Sequence, residues 1–422
     1  MPFAPTPNPR PALALLALVA AGCSISQPEV PMSRWLAGDY AAVRAFAEAE
    51  VEEGYAENLA IVLNVRGQSE LAMGDLEPAR RSFERAGQIM GTWAVSGGEV
   101  AGAILGSESS KTYKGDPYEK AMNAFYLAYC LLERGEPDNA RAALKRGILA
   151  DGEVADETFQ VDNALLFWMA GRMSRLAGQS ETEDFFGEAR TAHAFALEHG
   201  ARGRPDEPRL ADPGAGNLVP RLPAGLGPTH YAAASQGGPQ KYADGGQDEL
   251  ARFRPQSHPA AFAEASLDGR SLGRSAILCD VDYQAMTLGG TAMEGIRKGK
   301  AVFKTATTVA GGVLLSEALR NRNRSGDTAR TQAIVGGSLL LLGLLTSTAA
   351  DTRHWPTLPS TVQVLTADVP PGEHTLTVDF FDARGRPLPA LRHVLPVRVP
   401  EVGESWHLVP SLPQAAALRP EP

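Results

Sequence analysis

Apolar and small residues recur at three- and four-residue spacings between residues 33 and 200, and the pattern is broken by glycine-centred turns. Beyond residue 360 the period falls to two. The first pattern predicts paired amphipathic helices and the second predicts short strands. The clearest helical unit is LNVRGQSELAMGDLEPARRSFERAG, with Gly67, Gly74, Ala79, Phe83 and Ala86 at its small and large positions. YLAYCLLERGEPDNARAALKRG repeats the frame with Ala128, Gly135, Ala140, Leu144 and Gly147. A weaker copy, WMAGRMSRLAGQSETEDFFGEA, has Gly171 and Gly178 but closes one residue early at Ala189, and WLAGDYAAVRAF surrounds Gly38. The small residues let two helices approach, and Phe83 or Leu144 fills the space between pairs.

These positions are those of a tetratricopeptide (TPR) repeat. The turn glycines are 36, 61 and 43 residues apart, against a TPR period of about 34, so the repeats are degenerate and carry an insertion between Trp93 and Pro117. Such repeats stack into a surface suited to extended peptides or partner loops. In the repeat frame Asn64, Gln68, Phe125, Tyr129, Trp168 and Arg172 face that groove. Phe125 and Trp168 read equally well as core.

Residues 201–274 are rich in Pro and Gly, the composition of a linker, with NLVPRL and THYAAAS as short strands within it. SAILCDVDYQ (275–284) reads as a buried strand. A helical hairpin follows over 291–350. VQVLTADV, HTLTVDFF, LRHVLPVRV and WHLVP, joined by PPGE and DARGRP, predict a small antiparallel sheet over 360–410, and 411–422 read as a loose tail. The fold class is therefore α+β, a helical repeat domain at 33–200 followed by a C-terminal domain at 275–410.

AIVGGSLLLLGLLTSTAA, residues 333–350, contains eighteen uncharged residues. As a helix it would reach about 27 Å, just short of a hydrocarbon core of about 30 Å. The uncharged part of the preceding helix, Thr305 to Ser316, would reach only about 18 Å. A spanning hairpin would also have to carry Arg320, Arg322 and Arg324 across the bilayer, at a few kcal/mol each. A buried hairpin is the stronger reading, and insertion into a membrane stays open.

Composition narrows the function. The chain has 422 residues, is 44% hydrophobic and 21% charged, and carries a net charge of −9, which disfavours nucleic acid and anionic membrane surfaces as partners. Three cysteines are too few for a disulfide scaffold; whether Cys130 and Cys279 pair is open. PALALLALVAAGC at 11–23 has the shape of a signal peptide, and Ala20-Ala21-Gly22-Cys23 resembles a bacterial lipobox, in which the cysteine sulfur carries diacylglycerol after cleavage. Residues 1–22 are thus expected to be removed and Cys23 lipidated. Ser24, in place of Asp, resembles lipoproteins sorted to the outer membrane of Gram-negative bacteria, on the periplasmic face. Two acyl chains anchor stably at about 0.8 kcal/mol per buried CH₂, so no second anchor is required.

YKGDPYE (113–119), GLGP (225–228), ADTRHWPTLP (350–359) and PPGEH (370–374) are similar to motifs of a largely uncharacterised family of bacterial TPR-containing lipoproteins. The resemblance spans roughly residues 35–400, and Asp-x-Arg-x-Trp-x-x-Leu-Pro is its most specific part. It implies an envelope protein, with activators of cell-wall synthases as candidate partners, and it assigns no site residues. Asp351, Arg353 and Trp355 themselves read as a junction between helix and sheet, an ion pair beside a packed indole.

Catalytic chemistry has weak signals. Gly269-Arg-Ser271-Leu-Gly273 matches the nucleophile pattern G-x-S-x-G, but an elbow needs a strand before and a helix after, and here a strand follows. Gly295 to Lys300 is too short for a phosphate loop, and Gly214-Ala-Gly216 lacks the third glycine of a dinucleotide fingerprint. His193 and His199 sit six apart, on different faces of a helix. No metal or cofactor is expected, and the chain reads as non-catalytic. The leading expectation is a lipid-anchored scaffold or regulator binding envelope proteins through the TPR groove. The alternative is a component of a secretion or export assembly that enters the membrane through residues 305–350. A hydrolase built on Ser271 is the weakest reading.

Overall fold

The computed structural model describes residues 26–91, 112–151, 162–232, 240–241, 247–248, 251–288 and 351–415. The expected signal peptide, Cys23, most of the expected insertion, the hairpin expected at 291–350 and residues 416–422 lie outside them. What is described is an α+β protein, with helices gathered in the first half and strands in the second.

Eight helices run α1 (Met32–Leu36), α2 (Tyr40–Glu53), α3 (Leu59–Ala72), α4 (Leu76–Gly91), α5 (Pro117–Glu133), α6 (Pro137–Asp151), α7 (Ala164–Leu176) and α8 (Thr182–Glu198), each packed on the next. A single turn, α9 (Pro208–Ala211), follows. The reasons are local. Gly74 and Gly135 close their helices at φ +86° and +73°, a conformation that strains residues with a Cβ. A Cβ on Gly67 would lie 2.8 Å from the Phe83 ring, so this glycine sets how closely α3 meets α4. Asp116, Pro117 and Glu119 start α5 as a capping box with proline in the first turn.

The strands form a sandwich. One four-stranded sheet has the order β12 (Ser405–Leu408), β1 (Leu218–Ala224), β9 (Thr361–Val364), β8 (Ala276–Asp280). The other has the order β11 (His393–Val399), β10 (Gly372–Phe381), β6 (Phe262–Leu267), β7 (Arg270–Arg274). Two short ribbons, β2 (Thr229–Ala232) with β5 (Ala251–Arg254) and β3 (Gln240–Lys241) with β4 (Gln247–Asp248), stand apart. Leu218, Leu222 and Ala224 of β1 join Leu376, Val378 and Phe380 of β10 in the core between the sheets. Val219, Val362, Val364 and Trp406 turn the other way and join the helical core. The layers are therefore helices, sheet, sheet, and β1 is buried along its whole length.

Four expectations change. Residues 201–274 are not merely a linker: they supply β1, a central strand, and the hairpin β6–β7. The strands after residue 360 do not make one small antiparallel sheet; β9 and β12 enter one sheet, β10 and β11 the other, and β12 pairs with β1 in parallel. The strand at 275–284 ends at Asp280, whose Oδ1 accepts the Tyr283 N–H at 3.2 Å and caps the helix α10 (Val281–Leu288). The tail is not loose over 411–415. The Tyr40 hydroxyl donates to the Pro413 carbonyl at 2.6 Å, the Ser411 N–H to Pro223 O at 2.8 Å, and the Gln414 amide pairs with the Val394 backbone.

Candidate functional site: the repeat face and its cover

The six residues placed on a groove by the repeat frame lie on α3, α5 and α7, the leading helices of consecutive pairs. Asn64 and Phe125 are inside the helical core. Asn64 Oδ1 accepts from Asn123 Nδ2 at 2.8 Å, tying α3 to α5, and Phe125 packs edge-on against Tyr126. The other four share a face, and that face is covered by the second half of the same chain. Gln68 donates to the Thr357 carbonyl at 3.1 Å and accepts from Trp355 Nε1–H at 2.8 Å. Tyr129, half-buried, lays its ring 4.5 Å from the Arg221 guanidinium carbon. Trp168 Nε1–H donates to Arg209 O at 3.1 Å.

Arg172 carries the densest set. Its guanidinium donates to the carbonyls of Pro213, Ala215 and Gly216 at 2.9, 2.8 and 2.5 Å, and to Glu404 at 3.0 Å. Both side chains are almost fully buried, at 0% and 2%. In this structure Gln68, Tyr129, Trp168 and Arg172 make these contacts within the same chain.

A second concentration of polar groups joins the motifs that are far apart in sequence. The Trp355 N–H donates to Glu119 Oε1 at 2.6 Å, and Glu119 Oε2 accepts the Tyr113 hydroxyl and, at 2.9 Å, the Asp116 N–H. YKGDPYE is thereby fastened to ADTRHWPTLP. Arg353 pairs with Asp351 at 2.6 Å and donates to Asn58 Oδ1 at 3.1 Å. GLGP closes the third side, with the Gly227 N–H donating to Leu358 O at 2.7 Å. Nearby, His230 lies 4.9 Å from the His354 ring and 3.0 Å from the Tyr118 hydroxyl. The Asp351, Arg353 and Trp355 cluster is an ion pair and a buried indole at the place where helices meet sheet.

Burial, followed by the charge of Asp116, pushes the Glu119 carboxyl up to about 8. An acid raised on folding favours the native state while both forms hold the proton, and that advantage drains away as pH climbs from the unfolded value of about 4.3 through about 8. Glu119→Gln is expected to flatten this component. The stability difference between wild type and variant, followed by urea unfolding at pH 4 to 8.5, should move against the wild type as pH rises. A constant difference across that range would show that Glu119 titrates normally.

The N-terminal stretch is tied to the same place. Gln27 Nε2 donates to His354 O at 2.8 Å, the His354 N–H donates back to Gln27 Oε1 at 2.9 Å, and Asn58 Nδ2 donates to Ser26 O at 2.9 Å. Sequence reasoning missed this clasp; the amide of Gln27 had no periodicity to mark it. Ser26 and Gln27 thus meet Asn58 and His354 at this junction.

Other candidates take plain places. Ser271 is exposed on β7, after the two-residue turn Asp268-Gly269 with φ +49° and +78°, so G-x-S-x-G here marks a hairpin and forms no elbow. Cys130 and Cys279 are buried free thiols, not a disulfide, and burial pushes the Cys130 thiol up to about 12. His193 Nε2–H donates to Arg204 O at 2.8 Å and His199 Nδ1–H to Phe195 O at 2.9 Å. Among the described residues no three His, Cys, Asp or Glu side chains gather as a metal site, and no helix is long and apolar enough to cross a membrane. A cavity of about 260 Å³ lies between α2, α3, α5 and the sandwich, walled by Trp35, Tyr40, Tyr126, Tyr129, Leu408 and Leu412 among others. No family model matches the chain, and no curated protein matches it.

Proposed function

We propose that the chain is a non-catalytic lipoprotein held through Cys23 on the periplasmic face of an outer membrane, where it acts as a scaffold or regulator for envelope proteins. Its helix pairs are TPR-like repeats that grip the protein's own sandwich. Gln68, Tyr129, Trp168 and Arg172 serve that internal grip, so partners meet the outer surfaces of the combined body. Activators of cell-wall synthases are candidate partners on the family resemblance. The observation that carries this reading is the clasp between Gln27 and His354. Ser26 is three positions beyond Cys23, which at full extension is roughly 10 Å, so a lipidated Cys23 would hold the body close against the bilayer.

A second reading draws on the same junction. Asp351 ends the apolar run 333–350 and lies three residues from His354, which Gln27 holds. A lipid anchor and that run would join the body side by side, as an export component entering the membrane through 305–350 requires.

One experiment tests both. A Cys23→Ala variant exported through a conventional cleavable signal is fractionated and washed with carbonate. Release into the soluble fraction is the expected outcome and makes the acyl chains the anchor. Retention in the membrane rejects the tether as sole anchor and brings the export reading forward.

A further inference from the structure

The cavity between the repeat helices and the sandwich combines room with an aromatic wall. Its volume is about 260 Å³. An apolar cavity of about 150 Å³ holds benzene, so this one has room for roughly ten non-hydrogen atoms. Trp35, Tyr40, Tyr126 and Tyr129 contribute four rings to the wall, with Leu408 and Leu412 beside them. The rings are held by their own packing. Tyr126 stacks on Phe83 with centroids 5.3 Å apart, and Trp35 stands edge-on to Tyr40 at 5.3 Å. Gly74 and Glu133, both exposed, lie where the cavity meets solvent.

Most polar side chains on this wall are already engaged. Gln68 accepts from Trp355 and Thr357, and His393 Nε2–H donates to Leu412 O at 2.8 Å. The Ser411 hydroxyl accepts the Gly225 N–H at 2.9 Å, and the Tyr40 hydroxyl donates to Pro413 O. Tyr126 differs. Its oxygen accepts from Gln68 Nε2 at 2.9 Å, while its O–H finds no acceptor among the described residues. Burial pushes its ionisation upward, so the proton stays. A buried donor left unmet is costly, and structures normally supply it with an acceptor.

Charge narrows what that acceptor can belong to. Glu133 is the one acidic residue among the described residues of the wall, and no Lys or Arg joins it there. Its charge is offset by Arg221, which does not reach the cavity and lies 4.5 Å from the Tyr129 ring. The surroundings are thus close to neutral, and a charged guest would lose its water without gaining a free counter-charge. Aromatic walls favour a ring, which can meet them offset or edge-on.

We propose that this cavity binds a small neutral aromatic molecule bearing a hydroxyl or carbonyl oxygen, its ring packed among Trp35, Tyr40 and Tyr129 and its oxygen accepting the Tyr126 hydroxyl hydrogen.

The test uses the full-length mature protein in detergent, with benzyl alcohol, benzylammonium chloride and sodium benzoate as probes. They present one ring as a neutral, a cationic and an anionic molecule. Isothermal titration calorimetry, with titrations into protein-free micelles subtracted, should show saturable binding of benzyl alcohol. Each charged probe should bind at least about tenfold more weakly, for want of a counter-charge. Ala72 is half-buried on the wall at the end of α3, and Ala72→Phe should fill the space and abolish binding. Tyr126→Phe keeps the ring and should weaken benzyl alcohol about two- to tenfold, the worth of one hydrogen bond. Far-ultraviolet dichroism checks that both variants fold. No binding of benzyl alcohol, a charged probe that binds as tightly, or a folded Ala72→Phe that still binds would each overturn the site. Should Ala72→Phe fail to fold, Tyr126→Phe decides: an affinity equal to that of the wild type rejects the proposal.

Discussion

Arg172→Met is expected to lower the unfolding free energy by about 3–5 kcal/mol, the range for breaking a buried ion pair from one side. Methionine can fill much of the volume between Trp168 and Trp406, whose rings lie 5.0 and 5.8 Å from the guanidinium carbon. It cannot satisfy the carbonyls of Pro213, Ala215 and Gly216, and an unmet buried acceptor costs about 1–3 kcal/mol. Glu404 keeps only Arg175, whose side chain is 41% exposed. Summing those terms would overshoot, since water and small backbone shifts recover part of the loss. The exposed pair Arg34–Asp39 provides the contrast, with side chains 64% and 39% accessible; its removal should cost no more than about 1 kcal/mol. Urea unfolding followed by far-ultraviolet dichroism and by tryptophan emission checks both. A loss under about 1 kcal/mol for Arg172→Met would mean that the repeats do not depend on this face to hold the sandwich. The Glu404→Gln variant should lose less, because all three carbonyls keep their donor.

The helical half was legible because its constraints are local. Gly74 and Gly135 stand where a left-handed turn is required, and Gly67 stands against Phe83. In the weaker copy the one-residue slip leaves the same contact: a Cβ on Gly171 would lie 2.5 Å from the Phe186 ring. The repeat frame also selected side chains that leave their helix pair toward something. It could not say what, since Gln68, Tyr129, Trp168 and Arg172 give one signal whether the partner is another protein or the same chain 41 to 289 residues on. The sandwich was less legible. A period of two identifies a strand and leaves its neighbours unspecified, so the division of β9 to β12 between two sheets was not visible. NLVPRL was read as a short strand within a linker, but the prolines of LVPRLPA argue against a central strand, so the place of β1 inside a sheet was not visible. Here the proline carbonyls carry the load: Pro220 O accepts the Leu365 N–H at 3.0 Å and Pro223 O the Ser411 N–H at 2.8 Å. The candidate junction was half legible. The Asp351, Arg353 and Trp355 cluster was read as a helix-to-sheet contact, but its partners Gln27, Asn58, Gln68 and Glu119 come from separations of about 240 to 330 residues, which no spacing rule spans.

That junction gives the second large effect. Trp355→Ala is expected to cost about 3–5 kcal/mol, the usual range for truncating a buried aromatic side chain. Trp355 is 1% exposed and its ring lies 5.7 Å from Tyr126 and 6.2 Å from Phe83, so alanine would leave a void that three packed elements cannot close without moving. The indole N–H is the smaller part. It donates to Gln68 Oε1 at 2.8 Å and Thr357 Oγ1 at 2.9 Å, while the Thr357 hydroxyl also donates to Gln68. Trp355→Phe keeps most of the volume and leaves Gln68 with that second donor, so its loss should be about 1–2 kcal/mol. The backbone N–H to Glu119 survives in both variants, which separates packing from the polar clasp. Hydrogen exchange should place the weakening. In Trp355→Ala the amides of 113–119 and 354–364 should lose protection together, while those of α6 and β10 hold. If exchange rises instead across the whole chain at once, the junction unfolds only with everything else. If the alanine variant stays within about 1 kcal/mol of the wild type, the two motifs touch at residue 355 without holding each other.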